Sequence, residues 1–295
     1  MKVKIRDISN NFCEFWDKSK GKSYNEKVKI WKSVYEEPNR DVFDKHLSLA
    51  RIFKKDFNLE DRYEHSFRKY ENCINKVKSI NENIEEKIME TCNACMKLFD
   101  IGNDSDLELC FVTMVGLYLA DGWVSDFKGR PTTFFAMEYM PKPENVNIFL
   151  AHEITHCIHN NISEFGNDLT LAERIFIEGF AVTASKKLCE GRDTYVYIGK
   201  SNEWLIRSME SWEYAKQDVI DNLGNKTDEY TSKYFMGEDN KSLKIPARSG
   251  YTYGYFLVNK LLEKYTFHEM IKWKSERIIK EVNKEIINLE LKLKK

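Results

Sequence analysis

Pro141-Lys142-Pro143-Glu144-Asn145-Val146-Asn147-Ile148-Phe149-Leu150-Ala151-His152-Glu153-Ile154-Thr155-His156-Cys157-Ile158 is the stretch on which the reading of this chain turns. Each proline lacks an N–H and restricts the residue before it, so neither belongs to a helix interior. The spacing predicts a helix starting near Asn145, a residue suited to the N-cap. Val146, Ile148, Phe149, Leu150, Ala151, Ile154, Cys157 and Ile158 cover most of its circumference, which predicts a deeply buried helix. Within it, His152 and His156 stand four residues apart, about 40° around the axis and one turn along it, so both imidazoles can reach one metal ion. Glu153 flanks the pair, where its carboxylate can take a proton from a metal-bound water and pass it to a leaving amine. The bland alternative is a helix whose polar residues happen to be histidines. Burial argues against it, because buried imidazoles need partners and a metal supplies them.

Two histidines do not hold a catalytic zinc, so the pattern requires a third ligand. Ile162 occupies the position where a third histidine of the metzincin spacing would stand. His159 lies a further turn along the same helix and reads as a satisfied polar residue at the helix end. The choice falls on the glutamates of Leu171-Ala172-Glu173-Arg174-Ile175-Phe176-Ile177-Glu178-Gly179-Phe180-Ala181. Glu173 follows Thr170 by three residues in a capping-box relation. Glu178 has no such role, and a buried carboxylate is costly unless it is paired or bound to metal. Gly179, Ala181 and Ala184 are small enough to let this helix approach the HExxH helix closely.

Periodicity predicts helices over 24–35, 39–54 and 60–99, with stripes such as Trp31, Val34, Tyr35, then Phe43, Leu47, Ala50, and a break at Glu37-Pro38-Asn39. Leu107 to Ala120, after the turn-like Gly102-Asn103-Asp104-Ser105-Asp106, and Thr132 to Met140 read as strands, joined across Asp121-Gly122 to Gly129-Arg130-Pro131. Further helices are expected over Leu171 to Leu188, Tyr251 to Tyr265 and Phe267 to Leu293. The last opens on a Thr266-x-x-Glu269 capping box and turns its Ile278, Val282, Ile286, Leu289, Leu293 stripe to the core. Gly224 to Gly250 reads as a loop or lid. The expectation is one α+β domain over 1–295, mostly helical, with a small sheet beside the HExxH helix. It has a helical N-terminal part over about 1–100 and a catalytic core over about 107–265.

Composition narrows the function. Of 295 residues 32% are charged, yet the net charge is −1, which gives no reason to expect nucleic acid. No apolar h-region follows Met1-Lys2-Val3-Lys4, and the run Leu109 to Ala120 is too short to span a bilayer. Seven irregularly spaced cysteines do not form a disulfide framework. Cys92-Asn93-Ala94-Cys95 lacks a second CxxC and reads as reduced core cysteines. These features point to a cytoplasmic protein with no membrane partner.

HEITH, followed by EGFA at Glu178–Ala181 and then by Gly250-Tyr251-Thr252-Tyr253-Gly254-Tyr255, resembles the gluzincin clan of zinc metallopeptidases. Within that clan it resembles the predicted Zn-dependent proteases of the DUF2268 type, over roughly 107–265. The resemblance implies a zincin-like fold and Zn2+ held by His152, His156 and Glu178. It also implies Glu153 as catalytic acid and base, and a peptide or protein substrate. Tyr251, matching the GY of the family segment, is the first choice for the oxyanion donor, and Tyr253 the second. Arg248 suits a substrate carboxylate or carbonyl. The Asp that follows the third ligand by four residues in thermolysin-like gluzincins is Val182 here, so a partner for a histidine ligand must come from elsewhere. Two alternatives stay open: a non-catalytic, zinc-containing scaffold or binding protein, and hydrolysis of a non-peptide amide.

Overall fold

The computed structural model describes all residues except 54–57, 103–104, 121, 167 and 294–295, and the side chains of 49–53 also lie outside what is described. The side chain of Ala50, and Asn103, Asp104 and Asp121 of the expected turns, fall outside the described residues. The fold is α+β, mostly helical with one small mixed sheet. The chain divides into two compact units, Met1–Met89 with Asp106–Val146, and Glu90–Ser105 with Asn147–Lys295.

The first unit carries the sheet, with strands β1 (Lys2–Asp7), β2 (Glu108–Met114), β3 (Gly122–Asp126) and β4 (Pro131–Ala136). They lie in the order β1-β2-β4-β3. β2 runs parallel to both β1 and β4, with Ile5 opposite Phe111 and Phe111 opposite Thr133. β3 returns antiparallel along β4 as an edge. The two expected strands are present but end early: after Met114 the chain enters a turn with Leu117 and Tyr118 at φ +60° and +53°, and after Ala136 it turns again, with the Tyr139 amide donating to the Ala136 carbonyl. The Oε1 atom of Glu138 accepts from the Gly116 and Tyr118 amides at 2.8 and 2.9 Å and holds that turn. β1 and β3 were not expected.

Helices α1 (Ser9–Ser19), α2 (Tyr24–Ile30), α3 (Arg40–Phe53), α4 (Leu59–Asn81) and the start of α5 (Ile84–Leu98) complete this unit. Its core is aromatic, with Phe12, Phe15, Trp31, Tyr35, Tyr63 and Tyr70 all fully buried. The expected break at Pro38 is not one. The chain stays helical through a π-helical turn, Trp31–Glu36, and a 3-10 turn, Glu37–Asn39. The Glu37 amide reaches back five residues to the Lys32 carbonyl, and this wider turn carries a helix past a proline that an α-helical ladder would reject. Conversely, the single helix expected over 60–99 is two, parted at Glu82-Asn83.

The second unit is helical: α6 (Val146–Ser163), α7 (Leu171–Leu188), α8 (Thr194–Tyr197), α9 (Asn202–Glu210), α10 (Trp212–Asp221), α11 (Asp228–Phe235), α12 (Gly250–Leu261), α13 (Phe267–Met270) and α14 (Ser275–Ile286). α7 is buried on nearly every side from Leu171 to Ser185, as a helix apolar all round must be. Its N-terminus is closed by the Thr170–Glu173 capping box, and α13 opens on the Thr266–Glu269 box. The expected loop 224–250 contains α11, and the expected helix 267–293 is split into α13 and α14. Ile278, Val282, Ile286 and Leu289 are buried, whereas Leu293 is 43% exposed. All seven cysteines are free thiols. Burial pushes the Cys95 thiol up to about 12, so it is no metal-ready thiolate. No helix among the described residues is long and apolar enough to cross a membrane.

Candidate metal centre

α6 and α7 supply the site. His152 and His156 project from one face of α6, as their i, i+4 spacing requires, with their Nε2 atoms 3.0 Å apart. Glu178, in the middle of α7, brings its Oε2 atom to 3.4 Å from His152 Nε2 and 3.3 Å from His156 Nε2. That buried oxygen has no hydrogen-bond partner among the described residues. Two donors bound to one tetrahedral zinc at about 2.0–2.1 Å stand about 3.3 Å apart. The three ligand atoms are thus spaced as the edges of such a site, aimed at a shared point rather than bonded to one another. Among the described residues this is the one cluster of three or more His, Cys, Asp or Glu side chains that could hold a metal. The side chains of His152, His156 and Glu178 are 15, 23 and 24% exposed, so the cluster opens to solvent on one side.

Burial would push the Glu178 carboxyl up, but the His156 and His152 imidazoles beside it hold it far below the usual carboxylate range. Burial likewise opposes charge on His156, and Glu178 reverses this and raises it. A site that favours positive charge between a carboxylate and two imidazoles suits a cation. Glu153 is half-buried on α6 and its charge acts on both His156 and Tyr251.

Tyr251 is placed by a helix crossing. A Cβ built on Gly179 of α7 would lie 2.1 Å from the Gly254 carbonyl group of α12, and one built on Gly254 would lie 2.2 Å from the Ile175 oxygen. The two backbones therefore touch, which only glycine at both positions permits. Tyr251 precedes Gly254 by three residues, so it lies on the same side of α12 and is carried to the metal-ligand cluster. Its ring centroid is 6.3 Å from that of His152. Burial, then the Glu178 charge, raise its phenol above the ordinary value, so it is a proton donor at neutral pH. The Arg248 guanidinium packs over the Tyr251 ring at 4.9 Å, from a backbone at φ +67°.

Tyr253 is not with them. Two residues on a helix are about 200° apart, and its hydroxyl bonds Ser211 Oγ at 2.8 Å in the core, beside Trp212. His159 also differs from expectation. It is fully buried against Phe165, Phe176 and Phe180 with neither ring nitrogen bonded among the described residues, and burial holds its pKa down to about 3. Gly179 serves contact with α12, not the approach to the HExxH helix that its size suggested. The role of Gly254 went unread, although a glycine inside a helix is itself a signal of close approach.

The fold and the cluster define an α+β protein with a two-histidine, one-glutamate site drawn from two helices, and with Glu153 next to the first histidine. The chain belongs to the DUF2268 family, described as a predicted Zn-dependent protease, whose model matches residues 84–280. No curated protein and no solved structure matches it.

Proposed function

We propose that this protein is a zincin-like, zinc-dependent peptidase of gluzincin type. The observation that carries the reading is the triangle of His152 Nε2, His156 Nε2 and Glu178 Oε2, with sides of 3.0, 3.3 and 3.4 Å and an otherwise unpaired carboxylate oxygen. These three residues would hold Zn2+. When bound, the ion would supply a Lewis acid for the scissile carbonyl and a water acidic enough to attack near neutral pH. Glu153 takes the proton of the attacking water and returns it to the leaving amine. The Tyr251 hydroxyl donates to the oxyanion that develops on the former carbonyl. Arg248 braces the Tyr251 ring and offers its guanidinium to a substrate carbonyl or carboxylate.

The rival reading, zinc as a structural element of a scaffold, is less well supported. A structural site is closed by four protein ligands, and here three converge, with Glu153 next to His152 on the same helix, on a side open to solvent. The test sets two glutamates of α7 against each other. Glu178→Ala should greatly weaken zinc affinity in titration against a competing chelator. Glu173→Ala should leave zinc bound and cost about 1 kcal/mol of stability through the lost cap. The reverse pattern would move the third ligand to Glu173.

A further inference from the structure

Two turns beyond Glu178 on α7, Lys186 has an arrangement that the metal centre does not use. An ammonium in a partly buried setting is ordinarily matched by a carboxylate. Lys186 Nζ instead bonds two neutral oxygens, Thr194 Oγ1 and Tyr255 OH, both at 2.8 Å. No carboxylate stands within ion-pair distance of it among the described residues. An ammonium can only donate, so both hydroxyls accept from it and keep their own hydrogens to give away. Neither hydroxyl has another partner among the described residues. Lys186 Nζ also lies 5.9 Å from the centre of the Tyr197 ring, a cation–π contact that helps hold the ammonium in place. The result is three donors left to give, one ammonium N–H and two O–H groups, grouped around one positive charge with no carboxylate in ion-pair distance among the described residues.

This cluster lines a cavity of ≈ 640 Å³ within the second unit. Phe256, Leu262, Phe267 and Leu289 form apolar parts of the same wall. The other lysines of the wall are already matched: Lys187 pairs with Glu190 at 2.8 Å, Lys292 with Glu290 at 2.6 Å, and Lys260 with Glu285 at 3.7 Å. Arg192 and Glu263 line the same wall. At Lys186 itself the ammonium calls for one negative charge beside it, and a planar carboxylate can accept from its remaining N–H and the two hydroxyls. The apolar wall calls for a hydrocarbon body behind it.

We propose that this cavity binds a monocarboxylate carried on an apolar body, at a site separate from the metal centre. Either a fatty acid or the C-terminus of an apolar peptide presents that chemistry. Octanoate, octanol, inorganic phosphate and N-acetyl-leucyl-leucine are titrated calorimetrically into the zinc-loaded protein and into its Lys186→Met and Tyr255→Phe variants. The proposal expects octanoate or the dipeptide to bind the parent at least about 10-fold more tightly than octanol or phosphate. Lys186→Met should weaken that binding about 10-fold or more, and Tyr255→Phe several-fold, with zinc uptake retained in both. The tighter of octanoate and the dipeptide identifies the source. No binding of either, or octanol or phosphate binding as well as the carboxylates, would overturn the proposal. So would carboxylate binding that both variants leave unchanged.

Discussion

Gly254→Ala adds one methyl group where α7 and α12 touch. Its carbon would stand 2.2 Å from the Ile175 oxygen, 2.8 Å from the Gly179 nitrogen and 2.9 Å from the Gly179 Cα. All three are backbone atoms, so no side chain can rotate away and the helices must part by about 1 Å. Overpacking of this kind costs about 1–3 kcal/mol, and a clash with backbone on all sides belongs at the upper end. Alanine returns up to about 1 kcal/mol through helix propensity, so a net loss of about 2 kcal/mol is expected. Urea unfolding followed by tryptophan fluorescence and circular dichroism reads that loss as a lower midpoint. Zinc should still bind, because the ligands come from α6 and α7, while any activity that depends on Tyr251 should fall as α12 withdraws. Gly224→Ala, with nothing within 4 Å of the added carbon, serves as the control and should be neutral. A Gly254→Ala protein as stable as the parent, or more so, would refute the account of the crossing and with it the placement of Tyr251.

Tyr251→Phe should lower kcat by roughly 10- to 1,000-fold with zinc affinity unchanged, as the loss of one oxyanion donor predicts, whereas Tyr253→Phe should leave kcat alone and act on stability through Ser211. Steady-state kinetics with metal titration separates the two. Burial raises Glu138 from 4.5 to about 7 despite its bonds to the Tyr118 and Gly116 amides. The folded protein then binds more protons than the unfolded chain across that interval, so stability is fully present below about pH 4.5 and is lost as pH rises through 7. The loss is about 3 kcal/mol at this position. Glu138→Gln should remove that part of the slope, measured as the parent-minus-variant difference in urea stability between pH 4.5 and 8. A pH-independent difference would contradict it.

What was legible follows the range of the interactions involved. α6 and α7 could be read because prolines, a capping box and continuous apolar runs are local signals, and Glu178 could be singled out because no local role explains it. The sheet was half legible. β1 reads as a charged N-terminus, Lys2-Val3-Lys4-Ile5-Arg6-Asp7, and becomes a strand only by pairing with β2 across about a hundred residues of chain. Such pairing leaves no local trace. β3 hides between turn signals as a half-exposed edge, with Val124 56% exposed. The helix through Pro38 was missed because tertiary contacts override the local rule: Trp31 Nε1 bonds Glu36 at 3.1 Å, and Tyr63 donates to the same carboxylate. Tyr253 was misplaced for a different reason. It shares a short motif with Tyr251, yet two residues along a helix lie on nearly opposite sides of it.

The central claim is that a zinc held by His152, His156 and Glu178 works with Glu153 to cleave peptides. It is tested most directly by quantifying bound zinc and peptide cleavage in the same preparations of the parent and of Glu153→Gln, with a mixed peptide pool read by mass spectrometry. The account predicts about one zinc per chain in both proteins, cleavage products from the parent, and a loss of cleavage by orders of magnitude in the variant. A parent that takes up no zinc, or a zinc-loaded variant that cleaves at the parent's rate, would contradict it.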